Sequence, residues 1–126
     1  MTDILRVLYA EDSVVDADLT RTHLQLNAPH IDLEVVSTGQ EFLARLDHKA
    51  YDVLLLDDDL PDMDGTEVLK QLALKPVAVP VVMVTGNGDE TLVVQVLSLG
   101  ASDYVPKNGN YLDSLSIVLE SAAENY

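Results

Sequence analysis

The chain has 126 residues, 48% of them hydrophobic, which suits one globular domain built on one core and leaves no room for a second. With 22 acidic against 7 basic residues its formal charge is −15, a surface that repels nucleic acid and anionic membrane alike. Cysteine is absent, no apolar run reaches membrane-spanning length and the N-terminus has no charged-then-apolar leader pattern; disulfide and thiol chemistry are excluded and a cytoplasmic location is expected.

Ile4 to Ala10 reads as a first strand ending in Glu11-Asp12. Ser13 with Asp16 three residues later is a capping-box pattern. It opens a helix with Val15, Leu19, Thr22 and Leu26 at helical spacing, closed off by Pro29. Leu33 to Val36 is a short second strand. Thr38 and Glu41 repeat the capping-box pattern ahead of a helix carrying Phe42, Leu43 and Leu46. Val53-Leu54-Leu55-Leu56 is an unbroken apolar run, the mark of a third strand buried on both faces. It runs into Asp57-Asp58-Asp59, then Pro61 and an Asp64-Gly65 turn. Val68, Leu69 and Leu72 mark a third helix that must stop before Pro76. Pro80 introduces a fourth strand, Val81 to Val84, ending in Thr85. Gly86-Asn87-Gly88 lacks the lysine and spacing of a phosphate-binding motif and reads as a loop, after which Asp89 is placed to cap a fourth helix reaching Gly100. Asp103-Tyr104-Val105 is a short fifth strand before Pro106-Lys107. Leu112, Leu115, Val118, Leu119 and Ala122 line one stripe of a last helix.

Strands that alternate with helices through short loops call for a parallel sheet covered on both faces: a single-domain, doubly wound α/β fold with five strands and five flanking helices. In the flavodoxin-like order 2-1-3-4-5 the first and third strands are neighbours, so Glu11-Asp12 meets Asp57 to Asp59 at the switch point, where such sheets bind ligands. Clustered carboxylates there are costly unless a cation, a lysine or solvent compensates them. Two carboxylates, a backbone carbonyl and waters suit Mg²⁺. A carboxylate can also attack phosphorus and form an acyl phosphate, with the cation and Lys107 neutralising the transferring group and the Thr85 hydroxyl bonding a phosphoryl oxygen. Together these parts describe phosphoryl acceptance on an aspartate. His23, His30 and His48 show no ligand spacing and read as surface residues.

The landmarks Glu11-Asp12, Leu56-Asp57-x-x-Leu60-Pro61-x-Met63-Asp64-Gly65, Val84-Thr85, Gly100-Ala101-x-Asp103-Tyr104 and Lys107 stand in one order at the strand ends. In that order the chain, residues 1–126, resembles the receiver domain of two-component response regulators over essentially its whole length. The resemblance implies that Asp57 is the phosphorylated aspartate and that Mg²⁺ (or Mn²⁺) is held by Asp12, Asp57 and the backbone carbonyl of Asp59, with Glu11 as an outer-shell partner. It further implies a switch made of Thr85 and Tyr104, and a phosphate-binding Lys107. The phosphoryl donor would be a phosphohistidine on a sensor histidine kinase or a histidine phosphotransfer protein. The chain would then catalyse only its own phosphorylation and dephosphorylation. One departure is that the family commonly places proline after the lysine, whereas here Pro106 precedes it and Asn108 follows. A second is the density of the acidic run, with Asp58 and Asp59 at positions where the family varies.

Two other functions fit parts of the pattern. Asp57-x-Asp59 has the spacing of aspartate-nucleophile phosphohydrolases of the haloacid dehalogenase type, but in those enzymes the motif lies on the first strand, and here it lies on the third. A receiver-like module that binds partners without phosphorylation is the other, although such modules usually lose an acidic residue or the lysine, and this chain keeps them. The fourth helix suggests where a partner docks. Leu92, Val96 and Leu99 share the face turned to the sheet, Val93 and Leu97 lie at its flanks, and Val94 points away. An outer apolar surface there fits a contact built on the fourth helix, fifth strand and fifth helix, with an output domain, an output protein or a second copy as occupant. The sequence leaves open whether the receiver stands alone or belongs to a longer regulator.

Overall fold

The computed structural model describes residues 3–76, 78–86 and 90–125. Along the chain run β1 (Leu5–Ala10), α1 (Val14–Asn27), β2 (Ile31–Val36), α2 (Gly39–Arg45), β3 (Val53–Asp57), α3 (Gly65–Ala73), β4 (Val81–Thr85), α4 (Glu90–Ser98), β5 (Asp103–Pro106) and α5 (Tyr111–Glu124). All strand pairs are parallel, in the order β2-β1-β3-β4-β5. Ala10 of β1 is in register with Leu56 of β3, so the next residues, Glu11 and Asp57, emerge side by side.

Every residue of β3 and β4 is buried, which is why both read as unbroken apolar runs. Alternate residues feed two cores. Leu8, Leu54, Leu56 and Met83 face one side with Phe42, Val68 and Val96 of α2, α3 and α4. Val7, Val53, Leu55 and Val82 face the other with Leu24 of α1 and Leu115 and Leu119 of α5. Side chains cap the first three helices: Ser13 accepts from the Asp16 amide, Thr38 from Glu41 and Asp64 from Glu67. Gly65, the first residue of α3, is fixed by space, since a Cβ there would meet Met83 Cε at 2.5 Å and the Asp58 Cα at 3.1 Å.

The expected elements are present; α4 stops at Ser98 rather than Gly100, and two further differences stand out. β2 begins at Ile31 rather than Leu33. More tellingly, α1 turns its expected apolar stripe to solvent: Val15 is 67%, Leu19 53% and Leu26 77% exposed. The helix instead buries Ala17, Thr20 and Leu24. Thr20 can be buried because its hydroxyl donates to the Asp16 carbonyl at 2.8 Å, so a polar residue holds an inner position that apolar spacing alone does not reveal. The expected cap Asp89 lies outside the described residues.

The edge strand β2 is tied to the end of α2 through Glu34, whose carboxylate accepts from the Tyr51 hydroxyl, from Lys49 at 2.9 Å and from Arg45. The Tyr51 hydrogen bond, with the two cations beside it, lowers the Glu34 carboxyl to about 2. A carboxyl whose value is depressed on folding stabilises the fold above its ordinary value and loses that contribution as pH falls through the folded one. Glu34→Gln should therefore lower the urea midpoint at pH 7, and the gap from the parent should close between about pH 4.5 and pH 2. A gap of constant size across that range would mean that shape, not charge, is what Glu34 supplies.

Candidate functional site at the carboxyl ends of the strands

The end of β1, the end of β3, the end of β4 and the loop after β5 enclose a pocket of about 500 Å³. Its wall carries seven carboxylates, those of Glu11, Asp12, Asp16, Asp57, Asp58, Asp59 and Asp64, against one lysine, Lys107; Ser13, Thr85 and Gly86 complete it. The sheet order produces this concentration. β1 and β3 deliver their terminal acids to the same rim, and β5 lies one strand beyond β4, so a lysine just past its end can reach across Thr85.

Lys107 organises the pocket. Its backbone amide donates to the Thr85 carbonyl at 2.7 Å, which sets the loop against β4. Its ammonium donates to Asp57 Oδ2 at 2.9 Å, to Asp16 Oδ2 at 2.8 Å and to Glu11 Oε1. Three donors meet three acceptors, which uses the full capacity of an ammonium group. Burial would lower the lysine's pKa, but hydrogen bonds to Asp16, Glu11 and Asp57 outweigh it and raise the group above its ordinary value. The order Pro106-Lys107-Asn108 thus still brings the lysine to the aspartate.

Glu11 is almost wholly buried, at 3% exposure. Its Oε1 accepts from the Tyr9 hydroxyl at 2.9 Å as well as from Lys107, and its Oε2 from the Ser13 amide at 3.2 Å. Burial raises its carboxyl above the usual range, and the neighbouring Asp57 carboxylate adds to the rise. With both oxygens held by protein donors, Glu11 is suited to supporting a cation from outside its coordination shell. Asp57 is 5% exposed, and its Oδ1 accepts from the Asp59 amide at 3.0 Å. Asp12 is exposed at the rim. Among the described residues no three His, Cys, Asp or Glu side chains are disposed to grip a metal by themselves. The donor chemistry that is present, hard carboxylate oxygens open to water, fits a cation that keeps part of its hydration shell, as Mg²⁺ does.

Thr85 is buried at the end of β4 beside the pocket. Tyr104 lies on β5 two residues before Pro106, the register partner of Thr85, and is half-buried against the core under α4. On α4, Val96 is buried, Val93 half-buried, Val94 67% exposed and Leu97 43% exposed, the distribution expected from the sequence.

Three residues acquire roles that sequence reasoning missed. Tyr9 is a buried phenol whose hydroxyl steadies Glu11, and burial with that charged neighbour raises its pKa. Asp62 accepts from the Gly39 and Gln40 amides at 2.8 and 2.9 Å, capping α2 from a distant loop. Asp16 reaches Lys107. In the full capping box its side chain would return to the Ser13 amide, but Glu11 already occupies that donor, which leaves the Asp16 carboxylate for the lysine. The histidines stand apart from the pocket. His48 is exposed, whereas His30 is half-buried and bonded to Glu120 and His23 lies 3.6 Å from Asp113, so those two are partnered rather than plain surface residues.

Fold and pocket define a doubly wound α/β domain with an acidic site, crossed by one lysine, at its switch point. The sequence matches the response regulator receiver domain over residues 7–118, and the chain belongs to that family. It is 38% identical over 103 residues to the transcriptional regulatory protein CutR of Streptomyces coelicolor, a match covering 82% of this chain and 46% of that protein. The chain spans about half the length of the curated relatives it matches. Among solved structures it superposes on a CheY-like response regulator receiver domain protein from Methanospirillum hungatei with a TM-score of 0.81 and 31% identity, covering 97% of this chain and 96% of that one. The Mn²⁺-bound form of the response regulator Rcp1 aligns with a TM-score of 0.80 and 26% identity, covering 93% and 96%. The family match decides against the phosphohydrolase reading of Asp57-x-Asp59. Among the described residues no helix is long and apolar enough to cross a membrane.

Proposed function

We propose that this receiver accepts a phosphoryl group on Asp57 and converts it into a change of surface read by another protein or domain. The observation that carries the reading is the bond from Lys107 to Asp57 Oδ2, at 2.9 Å, inside a pocket otherwise lined almost entirely by carboxylates. A carboxylate oxygen of Asp57 attacks the phosphorus of a phosphohistidine, the P–N bond breaks with its electron pair passing to the imidazole, and an acyl phosphate remains on Asp57. Lys107 faces the charge that develops on the transferring oxygens. Asp12, Asp57 and the Asp59 carbonyl would hold Mg²⁺ or Mn²⁺, with Glu11 behind them; when bound, the cation supplies further neutralisation of the phosphoryl oxygens. The donor is a sensor histidine kinase or a histidine phosphotransfer protein, in the cytoplasm, and the protein's catalysis is confined to its own phosphorylation and dephosphorylation. Incubation with acetyl phosphate and Mg²⁺ should add one phosphoryl group by intact mass. No gain, in a protein that still binds its partner, would favour a module that works without phosphorylation.

The readout runs through Thr85 and Tyr104, the first at the pocket and the second packed against the core that also holds Val96 of α4. The acceptor surface is the face of α4, β5 and α5, where Val94 and Leu97 are exposed and Val93 half-buried. Its occupant is an output domain, an output protein or a second copy; direct nucleic-acid binding by this chain is opposed by the −15 charge. Val94→Lys should leave phosphoryl uptake unchanged and stability within about 0.5 kcal/mol of the parent. Self-association or output binding should fall about tenfold, the scale of losing one well-buried interface contact. Undiminished assembly and binding would move the docking face elsewhere.

A further inference from the structure

We propose that Asp16 is a positioning residue for phosphoryl transfer, holding the Lys107 ammonium in place beside Asp57; the inference rests on the reading of Asp57 as acceptor. Lys107 stands on a loop and carries a long, flexible stem that loses considerable rotamer freedom when fixed. The amide bond to the Thr85 carbonyl sets its backbone, and the stem beyond is held at its far end by the ammonium's three carboxylate partners. Glu11 and Asp57 supply two contacts, but the acceptor carboxylate is the group that changes when a phosphoryl arrives. Asp16 Oδ2, at 2.8 Å, is a contact outside the reacting pair.

The backbone that bears it is fixed at both polar atoms. The Asp16 amide donates to Ser13 Oγ at 3.2 Å, and the Asp16 carbonyl accepts from the hydroxyl of the fully buried Thr20 at 2.8 Å. The carboxylate therefore projects from the rigid first turn of α1, and with the Ser13 amide taken by Glu11 it has no cap to complete. On acceptance of a phosphoryl group the ammonium can keep Glu11 and Asp16 while exchanging Asp57 Oδ2 for a phosphoryl oxygen. The lysine then needs no search at the moment of transfer.

The test compares Asp16→Asn, which keeps one acceptor oxygen and loses the charge, with Asp16→Ala, which loses both. With acetyl phosphate the Asp57 carboxylate attacks phosphorus, the P–O bond to the acetyl group breaks and acetate leaves with the electron pair. Asp16→Ala should slow the maximal phosphorylation rate about tenfold, the scale of a hydrogen bond to a charged group, while Asp16→Asn stays within about threefold of the parent. The second readout needs no phosphorylation: the side-chain ¹H–¹⁵N signal of the Lys107 ammonium should be protected from solvent exchange in the parent and in Asp16→Asn, and broadened away in Asp16→Ala. A parent-like rate and signal in Asp16→Ala would overturn the inference. So would an Asp16→Asn protein as slow as Asp16→Ala, because charge rather than placement would then be the cause. Failure of the underlying reading looks different: the parent would take up no phosphoryl group at Asp57 at all.

Discussion

Asp57→Asn should cut phosphoryl uptake from acetyl phosphate at least about a hundredfold while leaving the fold intact, even though two more aspartates follow directly. Sequence alone does not rank the three; geometry does. Asp57 Oδ2 receives Lys107 and Oδ1 receives the Asp59 amide, so the carboxylate is both aimed and charge-matched. The Asp58 side chain packs against the start of α3, close enough to Gly65 that Oδ1 would lie 2.9 Å from an added Cβ, and burial raises its carboxyl. Asp59 is exposed, and what it sends to Asp57 is its backbone amide. Neither neighbour is bonded to the lysine. Asparagine has nearly the shape of aspartate and relieves repulsion with buried Glu11, so the melting temperature should hold or rise. Uptake by the variant equal to that of the parent, at any of the three positions, would sink the assignment of Asp57.

The fold was legible because its signals were local and agreed. The all-apolar strands β3 and β4 could only be buried on both faces, and Ser13, Thr38 and the Asp64-Gly65 turn marked helix starts that the structure keeps. The site was legible in outline for the same reason, since acids at the ends of two strands predicted to be neighbours must meet. What stayed hidden depended on competition between partners. Asp16 fits a capping box until Glu11 takes the Ser13 amide, and only the folded chain shows that contest decided. The acids from Asp57 to Asp64 serve separate ends. Asp57 faces the lysine, Asp62 caps α2 and Asp64 caps α3. The inner face of α1 was misjudged because it is built on Ala17 and Thr20, small residues outnumbered by larger apolar ones on the outside.

Lys107→Met should destabilise the unphosphorylated domain in cation-free buffer by about 3 kcal/mol, the scale of leaving buried charges without their partner. Methionine keeps much of the stem that packs beneath the ammonium, so the loss isolates charge and hydrogen bonding from bulk. The carboxylates left behind are unequal: the Glu11 side chain is 1% exposed and that of Asp57 7%, while that of Asp16 is 35% exposed and can turn to solvent. The cost should therefore reside in the Glu11 and Asp57 pair. A double-mutant cycle reads this directly, because removing the Asp57 charge from a pocket that has already lost its lysine relieves the repulsion. Lys107→Met with Asp57→Asn should recover at least half of the lost stability, whereas Lys107→Met with Asp16→Asn should recover little. Equal recovery by the two second substitutions would mean that the three carboxylates share one solvated field, and that the lysine holds the pocket by position alone.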